Sequence, residues 1–413
     1  MVAVRNELAM QAGFPRETAS ATAPCPPAYL EYLWYVSLVY AMLGQAWGIV
    51  IPSVGGLLLV VIAVACFQRM GTWAAHVYKP IVWALATGIL LIAIQLLFHE
   101  EDQQALSEGI AFVGWIATLI IAQSLSLRPG FLQRFALVAL AIGIATLPFI
   151  KMSGGGDMMR AGASGTGIAN PNSLGMWFGF CAVYFIFWGL ECRKTDLRIF
   201  AWIAALVCLY VVMLTVSRAP LLAIALACVV GLRSALKRSF VPLLSLVLLT
   251  SLVYTSGVFD EKIDYYMTRG AEESGREKLW PKALERILNA PFIGYGLGDI
   301  QLPRSSGNGY INPHNGLLHI ALGGGILPVI CFLMYLKRVG IGAVQLSRTA
   351  QAGEATLLPP LVTFAVFEIM VLDMVFMSPW TVVVFGLVAG TVSADAARRS
   401  MSVRKMVHRT QGQ

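Results

Sequence analysis

From Ser256 to Pro313 the chain reads SGVFDEKIDYYMTRGAEESGREKLWPKALERILNAPFIGYGLGDIQLPRSSGNGYINP, and an apolar segment resumes at His314-Asn315. This is the one long polar interval between hydrophobic runs. The whole chain of 413 residues is 57% hydrophobic and 13% charged, with mean hydropathy +0.72. That balance excludes a water-soluble globule and implies a polytopic membrane protein. Crossing about 30 Å of hydrocarbon as a helix takes roughly 20 apolar residues. Runs of this kind lie near 29–50, 53–67, 80–98, 109–126, 135–150, 172–190, 197–216, 219–232, 240–257, 315–336, 356–376 and 379–394, twelve in all, the second and eighth being short. The runs are continuous and do not alternate apolar with polar, so they predict helices and not barrel strands. The expected fold is all-α. Residues 1–27 form a disordered tail, 28–255 carry nine spans, 256–313 form a single large loop containing short helices, 314–394 carry three spans and 395–413 form a basic tail.

Lys and Arg are retained on the cytoplasmic side of a membrane. With the N-terminus inside, most of the thirty basic residues fall in inner segments, and the short outer loop His99-Glu100-Glu101-Asp102 is acidic. Both termini are then cytoplasmic and the long loop faces outward. Its own basic residues, Lys262, Arg269, Arg276, Lys278, Lys282, Arg286 and Arg304, run against the bias. The net charge of +8 reads as a topology signal, and basic runs with interleaved aromatics, the mark of nucleic-acid binding, are absent. The seven cysteines show no paired metal-finger spacing, and five lie within apolar runs as small buried hydrophobes.

Four places bear chemistry. Thr215-Val216-Ser217-Arg218-Ala219-Pro220 joins two apolar runs with hardly any loop, so Arg218 sits at an interface or holds an anion. Within the long loop, apolar residues at 279, 280, 283, 284, 287 and 288 follow helical spacing. They predict a helix on the membrane surface with Trp280 as anchor. Gly294-Tyr295-Gly296-Leu297-Gly298 is a turn segment that lets backbone N–H groups approach a ligand, or simply turns. His314 stands at a helix start, and imidazole titrates near neutrality, so it is able to take a proton from a hydroxyl. His319 falls mostly off its face, with no acidic partner nearby in sequence. Asp260, Glu261 and Asp264 offer a divalent-ion alternative, against which Lys262 argues for a solvated helix. Glu368 and Asp373 are ionisable residues in an apolar run.

Ser217-Arg218-Ala219 at an outer turn, Gly275-Arg276 with Trp280, Pro291 and Gly294-Tyr295-Gly296 in the loop, and His314-Asn315 at its exit resemble the O-antigen ligase family. Arg160, Gly165 and Asn170-Pro171-Asn172 look like that family's Arg-Gly-Asn pattern. The resemblance implies an inner-membrane glycosyltransferase with one large periplasmic loop. It would move a glycan from undecaprenyl diphosphate to lipid A–core in lipopolysaccharide biosynthesis. It also implies His314 as base and Arg218, Arg276 and Arg160 as diphosphate binders. Asn315, Ser217, Trp280, Gly294, Gly296 and Asn172 support them, and no metal or other cofactor takes part. An O-antigen polymerase or a protein O-oligosaccharyltransferase shares the donor and differs in acceptor. Polymerases divide their basic residues between two long outer loops, and only one is long here. A transporter is the reading from another class, and the chain lacks the related halves that transporters often show.

Overall fold

The computed structural model describes residues 25–49, 54–70, 81–100, 103–153, 160–236, 276–303, 310–349, 354–371 and 382–392. Its helices, in chain order, are α1 (Ala28–Leu43), α2 (Val54–Met70), α3 (Val82–Phe98), α4 (Gln103–Leu125), α5 (Phe131–Thr146), α6 (Pro171–Glu191), α7 (Thr195–Leu214) and α8 (Arg218–Leu236). They continue with α9 (Arg276–Asn289), α10 (Gly316–Gly324), α11 (Ile326–Thr349), α12 (Glu354–Val371) and α13 (Val382–Val392). Two short antiparallel hairpins interrupt them. In the first, β1 (Ile150–Ser153) pairs with β2 (Arg160–Ala163), setting Ser153 opposite Arg160; in the second, β3 (Leu302–Pro303) pairs with β4 (Tyr310–Ile311). The chain is therefore a mainly helical membrane protein.

Twelve spans are more than this structure supports. Among the described residues five helices are long and apolar enough to cross a bilayer: Gln103–Leu125, Phe131–Phe149, Pro171–Glu191, Thr195–Leu214 and Ile326–Arg348. Five more, Gly56–Arg69, Val82–Phe98, Arg218–Leu232, Ala355–Met370 and Val382–Val392, are apolar but shorter. The run expected at 240–257 and both tails lie outside the described residues, as does most of the loop before Arg276.

The run at 315–336 is not one span. It breaks at Gly325 (φ 74°, ψ −162°), a conformation that a side chain would strain, and Pro328 follows in the first turn of α11. The break is held from outside: the Ile326 N–H donates to the Pro291 carbonyl at 2.8 Å, and a Cβ on Gly325 would come within 2.4 Å of the Phe292 backbone. Broken helices in membrane proteins persist where other parts of the protein take up the freed backbone groups. Here the long loop does so.

The core is organised on α6, whose apolar window is 89% buried, against 33% for α7 beside it. Glycines let its neighbours close in: Gly175 faces Pro220 of α8, and Gly179 faces Phe364 of α12. The α12 helix packs on α6, α8, α10 and α11, so it touches both α8 and α10, the helices headed by Arg218 and by His314-Asn315. At the end of the molecule near residue 25, Glu31, 1% exposed, joins α1 to α5. Its carboxylate accepts from Arg134 at 2.6 and 2.9 Å and from the Tyr35 hydroxyl at 2.7 Å, with Arg128 at 2.6 Å.

Candidate active site

One group of candidate residues lies where α6, α7 and α8 meet the β1–β2 hairpin. Asn170 caps α6 by accepting from the Asn172 N–H at 2.8 Å, and Pro171 occupies the first helical position, where its missing donor costs nothing. This fixes Asn172, whose Oδ1 accepts from Arg160 Nη2 at 3.0 Å and from the Ser217 hydroxyl at 2.7 Å. Arg160 also donates through Nε to the Thr215 carbonyl at 3.1 Å. A residue on the hairpin, one on α6 and the α7–α8 turn are thus tied together around one amide oxygen. Arg218, the first residue of α8, is half-buried beside this knot, and no hydrogen bond or ion pair to a described residue engages its guanidinium. A half-buried cation at the positive end of a helix dipole is arranged for an anion.

A second group of candidate residues lies at the exit of the loop. Asn315 caps α10, its side-chain oxygen accepting from the Leu317 and Leu318 N–H groups at 2.9 and 3.2 Å. Trp280 Nε1 donates to the Pro313 carbonyl at 2.9 Å. His314, half-buried, is held between these two anchors. Trp280 therefore ties α9 to the candidate base and does not simply anchor a surface helix. The edge of α9 left uncovered is instead formed by Leu284 and Leu288, 52% and 76% exposed, and continues into Phe292 at 69%. Arg276 begins α9 and is half-buried.

Among the described non-glycine residues two have positive φ: Val216 at 45° and His314 at 51°. For a β-branched residue such as Val216 this is a genuine outlier, and strain of this kind costs of order 1–3 kcal/mol unless the surroundings impose it. One strained residue immediately precedes Ser217-Arg218. The other is the histidine.

Gly294 (φ 59°) and Gly296 (φ 81°) serve the fold. The Gly294 N–H closes the turn on Ala290 O at 3.0 Å, while the Tyr295 N–H to Leu322 O at 2.6 Å and the Leu297 N–H to Gln95 Oε1 at 2.6 Å dock it on α10 and α3. A Cβ at Gly294 would lie 2.4 Å from Leu322 O. Arg286 supports the same turn. It stacks over the Tyr295 ring at 4.2 Å, donates to Gln301 O at 2.8 Å and pairs with Asp299.

Sequence reasoning missed one buried polar contact. His319, 4% exposed on α10, has Nε2 3.7 Å from Glu108 Oε2 of α4, an acidic partner that sequence proximity does not reveal. Among the described residues no group of three metal-ligating side chains gathers; Asp260, Glu261, Asp264 and Asp373 lie outside them.

Replacing Asn172 with alanine removes the acceptor shared by Arg160 and Ser217. The expected result is a destabilisation of about 1–3 kcal/mol and a loss of activity like that of Arg160→Ala, read by thermal unfolding in detergent and by turnover. Unchanged values for both would show that the knot has no role.

No curated protein matches the chain. A family model described as O-antigen ligase matches residues 203–333, which hold Ser217, Arg218, Arg276, Trp280, Gly294, Gly296, His314 and Asn315 and leave out Arg160 and Asn172. Over residues 203–333 the chain is similar to the O-antigen ligase family.

Proposed function

We propose that the protein is an O-antigen ligase: a glycosyltransferase of the bacterial inner membrane that transfers a polysaccharide from undecaprenyl diphosphate to lipid A–core at the periplasmic face. The observation that carries this reading is the coincidence of strain with chemistry. Of the two described non-glycine residues of positive φ, one stands two residues before Arg218 and the other is the candidate base itself, both within the matched family segment.

In this reading His314 accepts the proton of an acceptor hydroxyl as its oxygen attacks the anomeric carbon. The bond from that carbon to the diphosphate oxygen breaks, the leaving diphosphate keeps the electron pair, and the configuration inverts. Arg218 and Arg276, with Arg160, neutralise the departing charge through paired donors, as guanidinium groups do for phosphates. The donor brings its own leaving group, so no nucleotide is needed and the arginines stand where other transferases place a divalent ion.

The test is transfer by the purified full-length chain in detergent, with lipid-linked glycan, lipid A–core and excess chelator. Capped lipid A–core is the expected product. Elongation of the lipid-linked glycan would instead identify a polymerase. Absence of any glycosidic product in a protein that moves the donor across vesicles would identify a transporter.

A further inference from the structure

His319 lies one turn into α10, beyond the candidate base, and its side chain is buried against α4. Its Nε2 stands 3.7 Å from Glu108 Oε2, and the Glu108 side chain is 20% exposed. That separation is longer than a hydrogen bond, so the contact is electrostatic. Both partners are fixed to what surrounds them. Glu108 is one helical turn from Phe112, whose ring occupies the space a Cβ would take at Gly88 of α3, and further along α4 Gly386 of α13 closes on Ala122. Helix α4 is therefore a fixed post. His319 is one turn from Asn315, whose carbonyl accepts from the His319 N–H at 2.9 Å and whose side chain caps α10.

The far end of α10 is seated independently of this pair. The Tyr295 N–H reaches Leu322 O there, and a Cβ on Gly324 would lie 2.7 Å from Leu91 Cδ2 of α3. The near end follows directly on His314, whose φ of 51° is a conformation that the surroundings must impose. A helix of nine residues broken at Gly325 has little rigidity of its own. We infer that Glu108 and His319 are positioning residues: the carboxylate on the long apolar helix holds the first turn of α10 and so sets where the His314 imidazole stands, a role that rests on the function proposed above. Stability is a poor reason for such a pair, because replacing a buried ion pair by apolar residues of similar volume often leaves a protein as stable or more so. Geometry is the better reason, since misplacing a reacting group by about 1 Å costs on the order of 10²-fold in rate.

The test compares the full-length chain in detergent with Glu108→Gln, His319→Gln, Glu108→Asp and the double replacement of Glu108→Leu with His319→Leu. Three quantities are read: kcat and KM for glycan transfer, the midpoint of thermal unfolding, and the rate at which diethyl pyrocarbonate modifies His314, localised by tandem mass spectrometry. Each glutamine variant is expected to lower kcat by about tenfold to 100-fold with KM for both substrates unchanged, and to alter the His314 modification rate severalfold. The double leucine variant keeps the wild-type midpoint, and its kcat falls no further than that of either glutamine variant, as for two residues acting as one unit. Glu108→Asp keeps the charge and recovers part of kcat. Wild-type kcat in both glutamine variants, or a lowered midpoint with kcat and the modification rate unchanged, overturns the positioning role and leaves a packing contact. A raised KM at constant kcat overturns it too, by assigning the pair to substrate binding. If the wild-type protein transfers no glycan, the proposed function falls, while the modification rate still decides whether the pair places His314.

Discussion

Changing His314 to asparagine lowers turnover by about 10² to 10⁴-fold, the usual contribution of a general base, in a protein that still folds. Asparagine is the informative substitution because the backbone at 314 is left-handed (φ 51°), a region that asparagine enters more readily than alanine. Pro313 remains bonded to Trp280, and Asn315 remains the cap of α10, so the loop exit keeps its course. What disappears is the imidazole nitrogen proposed to take the proton. The assay is initial-rate transfer beside a thermal unfolding curve. A variant with wild-type turnover removes the base assignment, and one that is inactive because it has unfolded reveals itself in the melting curve.

Replacing Arg218 with alanine lowers kcat/KM by roughly tenfold to 150-fold for each charge-assisted hydrogen bond lost, from about 1.5–3 kcal/mol apiece. Stability stays unchanged, because no described residue engages this guanidinium. Arg218→Lys restores only part of the loss, as an ammonium group lacks the planar fork. Arg160 behaves differently. Its side chain donates to Asn172 and to the Thr215 carbonyl, so Arg160→Ala loses stability as well as activity. Full rescue by lysine at 218 would mean that net charge alone matters there.

Local periodicity carried far in reading this chain, and long-range packing marked its limit. The amphipathic pattern beginning at Gly275 gives α9 nearly to the residue, since its buried positions Leu279 and Ala283 are set by helical geometry alone. The turn at Ser217-Arg218 is equally local. The break at Gly325 is not. Gly323-Gly324-Gly325 reads as part of an apolar run, and only the Pro291 carbonyl and Phe292, brought back by the loop, make the interruption stable. Trp280 likewise reads as a surface anchor until its partner, the Pro313 carbonyl, is known. Hydropathy measures apolar length and not helix length: the run near 29–50 yields a helix ending at Leu43, followed by a turn through Gly48. The knot around Asn172 unites side chains from three separate elements, and nothing in their spacing requires one oxygen to serve both Arg160 and Ser217. The carboxylate of Glu108 beside His319 is hidden for the same reason.

The central claim is that the arginine at the head of α8 and the histidine at the head of α10 act on one substrate. An experimental structure with a lipid diphosphate glycan bound tests it most directly. The account predicts Arg218 in hydrogen-bond contact with the diphosphate and the His314 imidazole facing the anomeric carbon on the side opposite the leaving oxygen, with room between for an acceptor hydroxyl. A diphosphate bound away from Arg218, or an anomeric carbon beyond the reach of any hydroxyl held by His314, would contradict it.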